Sequence, residues 1–331
     1  MTATTIRAAA VQAAPVFLDR DATIDKAVRL IEQAAGDGAR LVAFPEAFVP
    51  TYPDWVWRTT PWADGPARWY ERLLDQAVVI PGPATERLGK AARAAGVYVS
   101  IGINELDGAT LYNTQLWLGP DGDVLGAHRK LMPTGGERLV WGFGDGSTMP
   151  VFDTPIGRLG GLICWESYMP LARYALYSQG IDVYVAPTWD NSDMWVPTMR
   201  HIAKEGRIHV LGVTFCLRGS DIPDDITGRD DIYGGDEDWL ARGNSCIVGP
   251  DGDLLAGPLE GSEGIVIAEL DLARARASRR QFDPVGHYAR PDVFHLEVDR
   301  RPAPAATFTT VAPDAAATPA TVRLPPSQDV E

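Results

Sequence analysis

Basic residues are in short supply in this chain: 30 Lys and Arg against 44 Asp and Glu leave a formal net charge of −14 at pH 7. Such a surface repels phosphate backbones and acidic membranes, and no dense Lys/Arg patch offsets it, so nucleic acid is not an expected partner. Long apolar runs are missing too; none reaches the ~20 residues of a bilayer span, and no membrane association is expected. Residues Met1 to Val11 lack the basic start, long apolar stretch and cleavage site of a secretory signal and enter a strand-like pattern directly. The expected location is cytoplasmic. Cysteine is scarce: Cys164, Cys216 and Cys246 are an odd, widely spaced set with no CxxC pair and no Cys/His spacing suited to zinc. Free thiols in a reducing compartment fit this set.

What is present is an ordinary globular composition, 45% hydrophobic and 22% charged over 331 residues, enough for one large core. Thr5 to Val11 reads as a buried strand, and Ile24, Val28, Ile31 and Ala35 recur at helical spacing from a cap expected at Asp21. Leu41 to Phe44 is a second buried strand that delivers Glu46 at its end, where open α/β sheets put chemistry. Helices over 68–77 and 85–95 precede strands at 97–103, 111–118 and 124–130. The alternation resumes with a Gly-containing strand at 158–164, a helix at 171–180 and a strand at 182–186. Gly119-Pro120-Asp121-Gly122-Asp123-Val124-Leu125 returns as Gly249-Pro250-Asp251-Gly252-Asp253-Leu254-Leu255, the mark of two similar hairpins rather than a repeat array.

The interleaving of strands and helices runs without a linker to about Leu270, so residues 1–300 are expected to form one α/β domain. Residues 301–331, rich in Ala, Pro and Thr, are expected to be a disordered tail. The acidic Gly/Asp-rich stretch from Arg218 to Arg242 reads as a long solvated loop, since its carboxylates do not follow a Ca²⁺-loop pattern.

Cys164 lies in Gly160-Gly161-Leu162-Ile163-Cys164-Trp165-Glu166, where small residues allow close backbone approach and the thiol emerges at a sharp turn. That suits a nucleophile, although a buried structural cysteine is the usual fate of a lone Cys. Cys216 and Cys246, inside apolar strand-like stretches, read as core. An unperturbed thiol, with a pKa of about 8.5, needs a base or a nearby positive charge to attack at neutral pH. None of His128, His201 or His209 carries a papain-like signature around Cys164. Glu46, beside buried apolar residues, could have its pKa raised towards that of a general base, and Lys130, at a strand end, could stabilise developing negative charge. Taken singly, each reads first as a solvated surface charge.

Taken together, Phe44-Pro45-Glu46-Ala47-Phe48, His128-Arg129-Lys130-Leu131-Met132-Pro133-Thr134 and Cys164-Trp165-Glu166 resemble the three motifs of the nitrilase family, in the same order and spacing. Further segments are similar to proper nitrilases: Glu137-Arg138 through Trp141-Gly142 to Gly144-Asp145-Gly146-Ser147, Met169-Pro170-Leu171, His201-Ile202-Ala203 and Asp283-Pro284-Val285-Gly286-His287-Tyr288. The match covers roughly Thr5 to Asp299, and joint occurrence in order is what makes it specific.

This resemblance implies a four-layer α-β-β-α sandwich with Cys164 as nucleophile, Glu46 as general base, Lys130 as electrostatic stabiliser and Glu137 as a second carboxylate that positions substrate and supports the lysine. It implies hydrolysis of an organic nitrile to a carboxylic acid and ammonia through a thioimidate and a thioester, with no metal or organic cofactor required. Trp165, Tyr52, Thr188 and Trp189 are the expected substrate contacts, with only a minority of Tyr52, Trp55, Trp57 and Trp62 touching ligand. An aromatic or arylaliphatic nitrile is the favoured substrate and a small aliphatic one the rival. Cyanide dihydration, amide hydrolysis and a non-catalytic binding module are the alternatives. The resemblance also implies a homo-oligomer, a dimer or a spiral extension of it, with residues 281–296 reaching a neighbouring subunit.

Overall fold

The computed structural model describes residues 4–308 apart from 227 and 234. The described residues up to Arg301 form one compact unit. Residues 302–308 carry no helix or strand, and the remainder of the expected disordered tail lies outside the described residues.

The first sheet has six strands in the order β13-β1-β2-β3-β4-β5, where β1 is Thr5–Gln12, β2 Leu41–Ala43, β3 Tyr98–Asp107, β4 Thr110–Leu118, β5 Val124–Arg129 and β13 Gly264–Asp271. β1, β2 and β3 run parallel, flanked by antiparallel partners. The second sheet has seven strands: β10 Cys216–Arg218, β11 Trp239–Val248, β9 His209–Thr214, β8 Val183–Thr188, β7 Gly157–Gly161 and β6 Phe152–Thr154 in that order, with β12 Leu254–Glu260 also paired to β11. Here β7, β8 and β9 are the parallel core.

Both sheets are apolar on both faces, which is why their strands read as continuous apolar runs rather than alternating ones. In β1, Ala9 and Val11 pack with Ile24, Ala27 and Ile31 of helix α1 (Arg20–Gly36) and with Leu88 and Ala92 of helix α3 (Pro83–Ala95); α2 is Asp64–Asp75. Ala8 and Ala10 point the other way and meet Val183, Val185, Leu211 and Val213 of the second sheet. Tyr184, Ala186 and Val210, one step out of phase, pack with Ala172 and Leu176 of α4 (Pro170–Ser178) and with Met199 and Ile202 of α5 (Trp195–Gly206). The period-2 side-chain alternation thus builds three apolar seams between four layers: helices, sheet, sheet, helices. Cys246 lies in the outer seam with α5, and Cys216 is buried as well.

The two echoed segments make the same turn, one in each sheet. Gly119 N–H donates to Asp123 O at 2.9 Å and Gly122 N–H to Gly119 O at 2.9 Å; Gly249 N–H donates to Asp253 O at 2.8 Å and Gly252 N–H to Gly249 O at 2.9 Å. Two expectations need correcting. The cap of α1 is Asp19, not Asp21: its carboxylate accepts from Ala22 N–H at 2.9 Å, and Asp21 lies inside the first turn. Residues 218–242 are not a plain solvated loop. They contain a short helix, α6 (Arg229–Tyr233), and three buried anchors, Ile222, Ile226 and Tyr233. Tyr233 stacks on Trp69 with ring centres 5.5 Å apart. Sparse apolar residues in an acidic stretch escape a reading by composition. A last helix, α7 (Leu272–Ser278), follows β13.

Candidate active site

Strand β2 ends at Ala43, and the chain turns through Phe44-Pro45-Glu46 to Ala47, which sits at φ 48°. The turn lies directly on β3 at Gly102, where a Cβ would come 2.3 Å from Ala47 N and 2.3 Å from Pro45 O. Only glycine permits that approach. Glu46 is thereby fully buried and saturated with donors. Its Oε1 accepts from Lys130 Nζ at 2.7 Å and from Asn113 Nδ2 on β4 at 2.7 Å, and its Oε2 accepts from the backbone N–H of Trp189 at 2.8 Å. Because Trp189 follows β8, this carboxylate ties the end of one sheet to the end of the other.

Lys130 follows β5, its side chain wholly buried. Its ammonium also donates to Glu137 Oε2 at 2.7 Å. Glu137 sits in a 3-10 turn, Gly135–Leu139, and accepts further from Thr134 N–H at 2.6 Å and from the Tyr52 hydroxyl at 2.6 Å. Tyr52 in turn accepts from the Trp57 indole at 2.9 Å and stacks flat on Trp189, ring centres 4.6 Å apart.

Cys164 opens a 3-10 turn, Cys164–Tyr168, just past β7, and its φ of 55° is a left-handed value that non-glycine residues rarely adopt. Gly161 prepares the turn: a Cβ there would come 2.0 Å from Val185 O, so β7 and β8 could not pair so closely otherwise. The thiol is hydrogen-bonded to Thr188, the last residue of β8. Three parallel-strand ends therefore converge, those of β2, β7 and β8, as expected for an α/β site.

Burial pushes the Cys164 thiol above its ordinary pKa; Glu46 and Glu137 add to the rise, and Lys130 only partly offsets it. Burial also raises Glu46, against the pull of Lys130. Burial works against the Lys130 charge, but Glu46, Cys164 and Glu137 outweigh it and hold the lysine above its usual range. A cation between two carboxylates leaves no spare positive charge for a resting thiolate. Burial and the neighbouring carboxylates thus favour the thiol form of Cys164, and burial raises the proton affinity of Glu46.

The site opens into a cavity of about 650 Å³ lined by Tyr52, Trp57, Trp165, Trp189 and Leu240, with Asp54, Arg58, Glu137 and Asp190 as its charged groups. Trp165 is half exposed there, and its indole donates to Asp190 Oδ2 at 2.9 Å. Trp189 contributes its ring to the wall and its N–H to Glu46; Thr188 lies beneath, against the thiol. Of the aromatic group after Glu46, Trp55 is core, and Trp62 is 91% exposed beside a separate surface depression. Met194, 64% exposed, is not part of the cavity wall. Among the described residues, no histidine is hydrogen-bonded to Cys164: His128 binds Glu166, His201 is exposed on α5, and His209 bonds Asp271 O. Among the described residues, no group of three or more His, Cys, Asp or Glu is gathered to hold a metal ion.

Sequence reasoning missed Asn113 and Asp54. Asn113 is a polar residue in a strand buried on both faces, Thr110–Leu118, and that position was the available signal, since a buried amide needs a partner. Asp54 is 3% exposed, raised by burial against the opposing Arg58, and hydrogen-bonded to the Trp189 side chain. Its i,i+4 pairing with Arg58 looks in sequence like any surface ion pair.

A buried Glu-Lys-Glu cluster beside a cysteine on a strained turn, in a double-sheet sandwich, is the arrangement of a hydrolase with a cysteine at its centre. The chain belongs to the carbon-nitrogen hydrolase family, which matches residues 7–280. It is 48% identical over 305 residues to an aliphatic nitrilase of Sinorhizobium fredii, covering 90% of this chain and 97% of that one. It is 46% identical over 316 residues to nitrilase 2 of Arabidopsis thaliana, covering 92% of each. A carbon-nitrogen hydrolase of Helicobacter pylori shares the fold, with a TM-score of 0.68 at 21% identity over 88% of this chain and 97% of that one.

Proposed function

We propose that this chain is a nitrilase that converts an organic nitrile and two waters to a carboxylic acid and ammonia at Cys164. The observation that carries the reading is the convergence of Glu46, Lys130 and Glu137 on Cys164 at the floor of an aromatic cavity. The thiol sulfur adds to the nitrile carbon as its proton passes to Glu46, and Glu46 hands that proton on to the nitrile nitrogen, giving a neutral thioimidate and a carboxylate free to act again. Lys130 and backbone donors stabilise the charge that develops on that nitrogen, and Glu137 holds the lysine in place. Water, deprotonated by Glu46, adds to the thioimidate carbon. The tetrahedral adduct expels ammonia and leaves a thioester. A second water attacks the thioester carbonyl, releasing the acid and restoring the thiol. Expulsion of the thiol from the first adduct, before ammonia leaves, gives an amide instead.

The substrate class that fits best is an aromatic or arylaliphatic nitrile, because Tyr52, Trp57, Trp165 and Trp189 present rings to the cavity. The name of the Sinorhizobium relative favours the second reading, an aliphatic nitrile. Residues 1–300 are the proposed catalytic domain. Its proposed setting is the cytoplasm, supported by three free cysteines, one of which carries the chemistry; no helix among the described residues is long and apolar enough to cross a membrane. We take the working form to be a homo-oligomer, a dimer or its spiral extension. Exposed Leu171 on α4 and exposed Tyr288, Val293 and Phe294 support this, and light scattering on the purified chain tests it. Ammonia release from a panel of aromatic, arylaliphatic and aliphatic nitriles, cyanide and matching amides tests the activity. Release from nitriles supports the reading, release from cyanide alone supports the dihydratase, and release from amides alone supports the amidase.

A further inference from the structure

Glu166 lies two residues beyond the nucleophile and is 1% exposed. Its carboxylate gathers three donors, one from strand β5 and two from the turns that follow β5 and β7. Oε2 receives Ile163 N–H at 2.7 Å and the His128 Nε2 at 2.9 Å, and Oε1 receives Leu131 N–H at 2.5 Å. Ile163 immediately precedes Cys164, and Leu131 immediately follows Lys130, so one carboxylate fastens the nucleophile turn to the lysine turn. The other ring nitrogen of His128, Nδ1, faces the carbonyl oxygen of Thr148. A carbonyl oxygen can only accept, so Nδ1 carries a proton; burial works against a charged ring, but Glu166 outweighs it and raises the His128 pKa, which favours the imidazolium.

We propose that the His128–Glu166 pair is a positioning device that sets the Cys164 thiol in register with Lys130 and Glu46. Its consequence for turnover rests on the hydrolase reading above. The need for such a device is visible in the backbone: Cys164 occupies left-handed space at φ 55°, a conformation that persists only where the surroundings over-determine it. The bond to Ile163 N–H fixes the residue entering that conformation. Those to Leu131 N–H and His128, two residues before Lys130, fix the lysine turn from both sides. His128 is a positioning residue, turned away from the thiol, and not a base.

The test compares Glu166→Gln, His128→Phe and His128→Gln with the unaltered chain. Two readouts are taken per folded protein: kcat and KM on a nitrile, and the rate at which iodoacetamide alkylates Cys164. In Glu166→Gln an amide N–H₂ replaces one acceptor oxygen and faces backbone donors; in His128→Phe the ring shape stays and both donors go. Both variants are expected to lose up to about 100-fold in kcat with little change in KM, because a small misplacement of a reacting group costs that much. Alkylation should slow in parallel. His128→Gln, which keeps a donor for Glu166, should recover most of the loss. Should Glu166→Gln not fold, His128→Phe carries the test with His128→Gln as its rescue. Folded variants whose kcat and alkylation rate stay within about twofold of the parent would overturn the proposal, as would a loss confined to KM. The alkylation arm needs no nitrile turnover, so failure of the hydrolase reading leaves it intact.

Discussion

Among the described residues, Lys130 is the only cation bonded to Glu46, and it holds that carboxylate at 2.7 Å while holding Glu137 at 2.7 Å on its other side. One charge therefore serves two carboxylates: burial does most to raise the proton affinity of Glu46, Lys130 pulls it back, and Glu137 adds to the rise.

The pH profile should report this balance. Burial raises the Glu46 pKa above 4.5, Glu137 adds to the rise, and the Asn113 hydrogen bond lowers it. An essential base must be deprotonated, so the acid limb of kcat/KM should fall above the ordinary carboxylate range. Asn113→Ala removes a bond to the charged form and should move the limb to higher pH. Glu137→Gln removes a neighbouring negative charge and should move it to lower pH, whatever its effect on the plateau. Limbs that do not move, or that move in the opposite sense, would separate the limb from Glu46.

Gly102→Ala should disable the site through the backbone that carries Glu46, whose carbonyl carbon would lie 2.7 Å from the new methyl. Its methyl would collide with backbone atoms of Pro45 and Ala47, which cannot swing aside as side chains can. Overpacking of this kind costs about 1–3 kcal/mol, and displacement of Glu46 should lower kcat about 100-fold. A urea titration and initial rates check both parts; unchanged rates would mean the turn tolerates the shift.

Tyr52→Phe keeps the stack on Trp189 and removes the hydroxyl that donates to Glu137. Burial, reinforced by Glu137 and Glu46, holds the Tyr52 pKa well above its ordinary value, so the native group is a protonated donor throughout the working range. Loss of a bond to a charged acceptor should reduce kcat about tenfold or more, with melting temperature little altered. A parent-like kcat would mean Glu137 is held well enough by Lys130 and Thr134.

Trp165→Ala tests the cavity wall. The indole is half exposed and pinned by Asp190, so its removal should leave the fold intact while stripping one aromatic face from the site. The ratio of kcat/KM for an arylaliphatic nitrile over a short aliphatic one should fall about tenfold, the scale of one aromatic contact plus lost burial. A ratio that stays constant would place substrate elsewhere in the cavity.

The fold was legible where one residue type had one use. Doubly apolar strands such as Thr5–Gln12 and the repeated Gly-Pro-Asp-Gly-Asp turns announced buried strands and two similar hairpins; the double-sheet sandwich came only with the family resemblance. Glu46, Lys130 and Cys164 were legible as motifs, but their mutual contacts span 84 residues in one case, and nothing local in the sequence encodes such a distance. Asn113, Asp54 and the Glu166 bonds were hidden for the same reason: a polar residue looks alike in sequence whether solvated or saturated by buried donors. Residues 218–242 failed differently, since their acidic surface masks Ile222, Ile226 and Tyr233.

Intact-mass spectrometry of the enzyme quenched during turnover of a nitrile tests the central claim most directly. The account predicts a covalent adduct of the thioimidate or thioester mass on Cys164, absent in Cys164→Ala together with ammonia release. Nitrile turnover that survives Cys164→Ala, or an adduct mapped to another residue, would contradict it.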